Sequence, residues 1–210
     1  VILVENDGSN RIIVYPGANM RISEGDVESA FTCCPDAVMA QLESGEDVAV
    51  YASQLAADEA IPFILDGGGA RSDFRLNKLA KVDIFSPNEI ETALITGIRP
   101  DTLDDCLRAS MAICSQTDVR YVVLKLGARG CYVYDGKYCD LIAPFVVQAV
   151  DTTAAGDAFT AALATEFLRT GDITASARYA NAVGALTVTT AGAIHSLPTR
   201  ETVRRFLEQI

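Results

Sequence analysis

Tyr121-Val122-Val123-Leu124-Lys125-Leu126, closed by Gly127, is an almost unbroken apolar and β-branched run. A run this short suits a strand better than a helix, and its lack of polar alternation suits a strand covered on both faces. Such strands belong to parallel sheets, whose members are joined by crossover helices. The sequence on either side supplies both elements. Residues 37–42, 61–65 and 82–85 read as further short strands, and 145–150 as a last one. Helical spacing of apolar residues predicts helices over 47–57, 89–94, 103–114, about 156–168, 175–188 and 200–207. Residues 131–134 and 137–142 flank Asp135-Gly136, a hairpin signal. The predicted fold is α/β, a mostly parallel sheet covered on both faces. Ligands of such sheets bind beyond the carboxyl ends of the strands.

The opening differs. Residues 1–5 and 11–15 are β-rich, and Asn6-Asp7-Gly8-Ser9-Asn10 between them reads as a hairpin turn. In the 210 residues, 50% are hydrophobic and 21% charged, which predicts a packed core and argues against disorder. No apolar run approaches the roughly 18 residues of a membrane span, and no secretory pattern opens the chain. A soluble, cytoplasmic protein is therefore expected. The formal charge of −11 repels nucleic acid and anionic lipid, so neither is expected as a partner. The six cysteines, Cys33, Cys34, Cys106, Cys114, Cys131 and Cys139, form no C-x-x-C pair, and His195 is the lone histidine. Reduced thiols are expected rather than a zinc site, and His195 reads as an ordinary polar loop residue.

Chemistry concentrates in Asp151-Thr152-Thr153-Ala154-Ala155-Gly156-Asp157-Ala158-Phe159-Thr160, at a predicted strand-to-helix junction. Ala154, Ala155 and Gly156 have almost no side chain, so a ligand can approach the backbone. Amides at a helix N-terminus favour an anion. Asp157, in the first helical turn, can accept a proton from an attacking hydroxyl. By residue type alone it also fits as a helix-capping acid beside a tight turn. Asn88-x-x-Glu91 after Ser86-Pro87 fits a ligand motif or a capping pattern. Lys125-Leu126-Gly127-Ala128-Arg129-Gly130 fits a nucleotide loop or a plain turn.

The segment 151–157 resembles the C-terminal signature of ribokinase and its relatives, the PfkB-type carbohydrate kinases. The resemblance implies a ribokinase-like three-layer fold and an ATP-dependent kinase acting on a small-molecule sugar. Asp157 becomes the catalytic base, also facing the substrate, and Ala154, Ala155 and Gly156 the anion hole. Asn88 becomes a phosphate-side contact and Glu91 an organiser of Mg²⁺ through water, which suits an ion that takes few protein ligands. Lys125, Leu126, Gly127, Ala128, Arg129 and Gly130 become the nucleotide loop, with Asn181 near the purine. Asp151, Thr153, Thr187, Thr190, Gly192 and Ser196 become a K⁺ site of hard oxygens. On the sugar side, Glu43 of Ala40-Gln41-Leu42-Glu43 is the candidate acid. Fructokinase-like and nucleoside kinase activities remain open, as does a non-catalytic nucleotide-binding fragment.

Two positions depart from the resembled pattern: Lys125 stands where ribokinases usually carry Thr, and Asp66 where they commonly carry Asn. The resemblance divides the chain into a partial β lid with its return to the body (1–19, including Pro16-Gly17-Ala18-Asn19) and an α/β body (20–210). It also implies a preceding strand with a sugar-binding Asp, a Gly-Gly motif and more of the lid. The chain is accordingly expected to be a fragment, a cleaved product or one piece of a longer polypeptide. Exposed lid strands invite a homodimer.

Overall fold

The computed structural model describes residues 2–4 and 10–209. β1 (Ile2–Val4) pairs antiparallel with β2 (Asn10–Ile12) in a sheet of their own. The turn expected between them falls largely on residues outside the described ones. Six strands make the main sheet, in spatial order β3 (Val38–Gln41), β4 (Phe63–Asp66), β5 (Lys81–Ser86), β6 (Asp118–Lys125), β7 (Cys131–Tyr134) and β8 (Cys139–Ile142). β3 to β6 are parallel; β7 and β8 are antiparallel, turning back through the expected hairpin.

Period-two alternation splits each central strand between two cores. Phe63, Leu65, Val122, Leu124, Tyr132 and Tyr134 pack with α1 (Glu24–Phe31), α2 (Glu46–Asp58) and α4 (Leu103–Cys114). Ile64, Val123, Cys131 and Val133 pack against α5 (Ala155–Thr170) and α6 (Ile173–Thr187). Alanines at 49, 52 and 56 of α2 and at 177 and 180 of α6 are buried, so those helices can lie close to the sheet. α7 (Arg200–Glu208) adds Val203 to a smaller core with α5 and α6. The architecture is three-layered, helix–sheet–helix. Among the described residues no helix is long and apolar enough to cross a membrane, and the six cysteines are free thiols.

Two expectations fail. Residues 145–150 form no strand. The main sheet ends at β8, and the chain crosses to the far helical layer, where Phe145 meets Phe206 edge-on and the Val150 amide donates to the Val188 carbonyl at 2.7 Å. Val146 is 97% exposed: the apolar run has no neighbouring strand to cover it. Conversely, α1 was not anticipated from its mostly polar sequence. It buries only Val27 and Phe31, four residues apart on one face, and starts at a capping box between Ser23 and Asp26.

β3, β4, β5 and β6 end in Gln41, Asp66, Ser86 and Lys125. These side-by-side carboxyl ends meet the beginning of α5.

Candidate active site

α5 begins without a conventional cap. Ala154, its N-cap residue, is left-handed at φ 61°, and no side chain accepts from the first turn. The Ala155 amide donates to Thr152 at 3.3 Å. The amides of Gly156 and Asp157 have no hydrogen-bond partner among the described residues. These are the groups expected to favour an anion. A non-glycine residue in the left-handed region costs roughly 1–2 kcal/mol, so this turn is held by its surroundings against local preference.

The exposed Asp157 carboxylate accepts from Gln41 Nε2 at 2.9 Å, which fixes it across from the end of β3. It lines a cleft of about 1140 Å³ with Gln41, Glu43, Asp66 and Thr160. Glu43 lies exposed on a single turn of 3₁₀ helix just beyond β3. Apolar residues of α1 and β3, among them Val27, Phe31 and Met39, continue the cleft wall.

Beneath the turn lies a buried ion pair. Lys125 Nζ is 2.5 Å from Asp66 Oδ2. Thr160 Oγ1, one helical turn beyond Gly156, also donates to Asp66 Oδ2 and lies 3.4 Å from Nζ. Asp66 Oδ1 accepts from the Gly68 amide at 2.9 Å. A Cβ placed on Gly156 would sit 3.7 Å from Lys125 Nζ, so the ammonium lies against the backbone of the anion-favouring turn.

α3 (Glu89–Thr96) is joined to β6 because the Lys125 amide donates to the Pro87 carbonyl at 2.9 Å. Its start is a closed capping box. Asn88 Oδ1 accepts from the Ile90 and Glu91 amides, and Glu91 takes the Asn88 amide and side-chain nitrogen, each at 2.7 Å. The Glu91 carboxylate lies over Gly67, where a Cβ would come 2.5 Å from Oε2. Burial raises the Glu91 carboxyl above its ordinary value; the Lys125 ammonium and the Asn88 amide oppose this, while Asp66 and Asp157 add to it.

The nucleotide-loop candidates divide. Gly127 is open, with nothing within 4 Å of an added Cβ, and Ala128 is exposed. The Leu126 side chain is buried. Gly130 is closed: an added Cβ would strike the Ile142 carbonyl, so this glycine serves the passage of the chain leaving β8. Arg129 turns away and binds the Asp101 and Pro100 carbonyls and Glu89. Asn181 is buried, and its Nδ2 donates to the Ile142 and Ala143 carbonyls at 3.1 and 3.2 Å. Its amide nitrogen therefore anchors that same exit of the chain.

The candidates for a monovalent cation come partly together. Asp151 Oδ2 accepts from the Gly192 amide at 2.8 Å and Oδ1 from the Thr153 amide at 2.9 Å. These bonds, the Gly192 one foremost, hold its carboxyl below the usual range. The Thr190 amide meets the Thr187 carbonyl at 3.3 Å. The hydroxyls of Thr187 and Ser196 donate to carbonyls of their own turns, Val183 and Ala193. The oxygens are hard and carry one formal charge, which fits K⁺. For Mg²⁺, Glu91 offers one half-buried carboxylate, which fits an ion that keeps several waters and takes few protein ligands.

Sequence reasoning overlooked Gln41 and Thr160 and left Asp66 unassigned. The available signals were position alone: strand ends for Gln41 and Asp66, and the second turn of α5 for Thr160.

The three-layer α/β body thus sets a carboxylate and unpaired helix-start amides side by side at its strand ends. Residues 1–200 match the pfkB family carbohydrate kinases, and the chain belongs to that family. It is 32% identical to the ribokinase of Arabidopsis thaliana, covering 99% of this chain and 56% of that protein. It is 35% identical to fructokinase-1 of Zea mays over 61% of this chain and 41% of that protein. The structure of Arabidopsis thaliana ribokinase complexed with ribose and ATP superposes with a TM-score of 0.86 at 31% identity, covering 99% of this chain and 68% of that one. The chain thus spans little more than half the length of the Arabidopsis protein.

Proposed function

We propose that the protein transfers the γ-phosphoryl group of ATP to a primary hydroxyl of a sugar, converting ribose to ribose 5-phosphate. The observation that carries this reading is the Asp157 carboxylate, fixed by Gln41 on the cleft wall beside the unpaired amides of Gly156 and Asp157. Asp157 takes the proton of the attacking hydroxyl, and the two amides hold the charge on the transferring group. Ala154 and Ala155 shape that turn. Glu43 faces the sugar from the cleft rim. ATP lies along Gly127 and Ala128, the open part of its loop, with Asn88 and Lys125 toward its phosphates. Glu91 would hold Mg²⁺ through water, and Asp151 and the 187–196 loop would hold K⁺; bound there, the ions would supply charge neutralisation for the phosphates and a fixed positive charge, respectively. β1 and β2 belong to a lid over the sugar, through which two copies pair.

The likeness to maize fructokinase-1 supports a second reading, phosphorylation of fructose. The test is turnover of ribose, deoxyribose, fructose and nucleosides by the purified protein with ATP, Mg²⁺ and K⁺, the product being located by phosphorus NMR. Ribose is expected to give the highest kcat/KM, with phosphate on O5. A higher value for fructose selects the second reading. ATP binding without transfer to any acceptor refutes both.

A further inference from the structure

We propose that Lys125 is the cation that meets the transferring phosphoryl group, and that Asp66 and Thr160 hold it ready beneath the first turn of α5. The inference rests on the phosphotransferase reading and assigns one more residue to that site. Lys125 and Asp66 are the two departures from the family pattern, 59 residues apart in sequence, and in the fold they are one contact. Their side chains are only 10% and 7% exposed.

Stability alone does not explain two buried charges, because a buried ion pair is often no better than an apolar replacement. The surroundings give a different account. Asp66 has partners on both oxygens: Gly68 on one, Lys125 and Thr160 on the other. Lys125 Nζ has one short bond, to Asp66, and one long contact, to Thr160, which leaves a donor without an acceptor among the described residues. Gly156 lies next to it with no side chain in between. The Glu91 carboxylate is close enough to feel the Lys125 ammonium and the Asp66 and Asp157 carboxylates electrostatically. Around Glu91 one ammonium is thus set among three carboxylates, and an incoming phosphoryl group meets net negative charge unless that ammonium turns toward it. A lysine suits the task, since its flexible stem lets a compact charge move between two partners. In the transfer, phosphorus leaves the terminal bridging oxygen of ATP and bonds to the sugar oxygen. The sugar proton passes to Asp157, and Lys125 donates a hydrogen bond while keeping its own proton.

The test is calorimetric binding of ADP alone and of ADP with aluminium fluoride, a mimic of the transferring phosphoryl group, both with Mg²⁺. Lys125→Met is expected to weaken the aluminium fluoride complex about 10²-fold, the scale of one lost preorganised donor, while ADP affinity stays within about twofold. Asp66→Asn/Lys125→Met leaves no unpaired buried charge and is expected to show the same loss. Asp66→Asn alone frees the ammonium and is expected to tighten the complex. Wild-type affinity in Lys125→Met, or its recovery in the double variant, overturns the proposal and leaves a purely structural ion pair. A wild-type protein that binds ADP with aluminium fluoride no tighter than ADP alone overturns the phosphotransferase reading itself, before any variant is compared.

Discussion

The helices α3 and α5 both begin at the carboxyl ends of the sheet, and both beginnings carry a motif legible in the sequence. Physically they are opposites. At α3 the asparagine and glutamate close on each other and on the first amides, so the turn satisfies itself. At α5 the cap residue has no polar side chain, the backbone is left-handed at Ala154, and two amides stay open. A helix start that satisfies its own donors is structural first, and can serve a ligand only through its remaining lone pairs. A helix start that leaves them open, at the cost of local strain, holds a place for something else.

The largest expected consequence of this contrast lies at α5. Asp157→Asn should lower kcat by about 10²-fold or more, the scale of a lost general base, with little change in ATP affinity. Near-normal steady-state turnover would remove Asp157 from the chemistry and erase the distinction between the two helices. A smaller effect is expected behind the same turn. The protein should turn over faster in K⁺ than in Na⁺ at equal ionic strength, because a fixed charge there acts through the backbone facing the phosphoryl group. Asp151→Ala should abolish most of that difference and Ser196→Ala only part, since carbonyls supply the other oxygens. Equal rates in K⁺, Na⁺ and a bulky organic cation would contradict the assignment. The smallest effects separate the helices by stability in urea. Asn88→Ala should cost about 1 kcal/mol, the worth of an N-cap, whereas Ala154→Gly should gain about 0.5–1 kcal/mol as left-handed strain is relieved against glycine's own entropy. Loss of stability in both variants would show that the α5 turn is no more strained than the α3 box.

Much of the fold was legible because its signals are local. The 121–126 run lies in β6 except for its last residue, Leu126, the helix over 103–114 has the predicted ends, and the Asp135-Gly136 hairpin joins β7 to β8. The two failures have different causes. Residues 145–150 have strand composition but no neighbour, and whether a neighbour exists is decided far away in sequence. α1 has weak apolar spacing and was signalled only by its Ser23-x-x-Asp26 cap. The site shows the same division. The 151–157 segment was readable because its amides and its carboxylate are contiguous. The Gln41–Asp157 and Asp66–Lys125 contacts span 116 and 59 residues, and neither glutamine nor threonine announces chemistry by type. Gly130 and Asn181 also have a packing role that residue type does not announce: both attend the exit from β8.

The joint between Asp151 and the loop after α6 has a further consequence. The amides of Val150 and Asp151 both donate to the Val188 carbonyl, and Asp151 in turn receives the Gly192 amide, 41 residues away in sequence. The segment between them is the antiparallel pair α5 and α6, so these bonds close it at its base as a non-covalent clasp. Opening such a unit from one end would release the whole loop at once, and cooperative units of this kind exchange their amide hydrogens together. The amides of 150, 151 and 192 should therefore report a single opening event shared with the two helices, on a slower clock than the largely exposed stretch at 146–149 that leads into them.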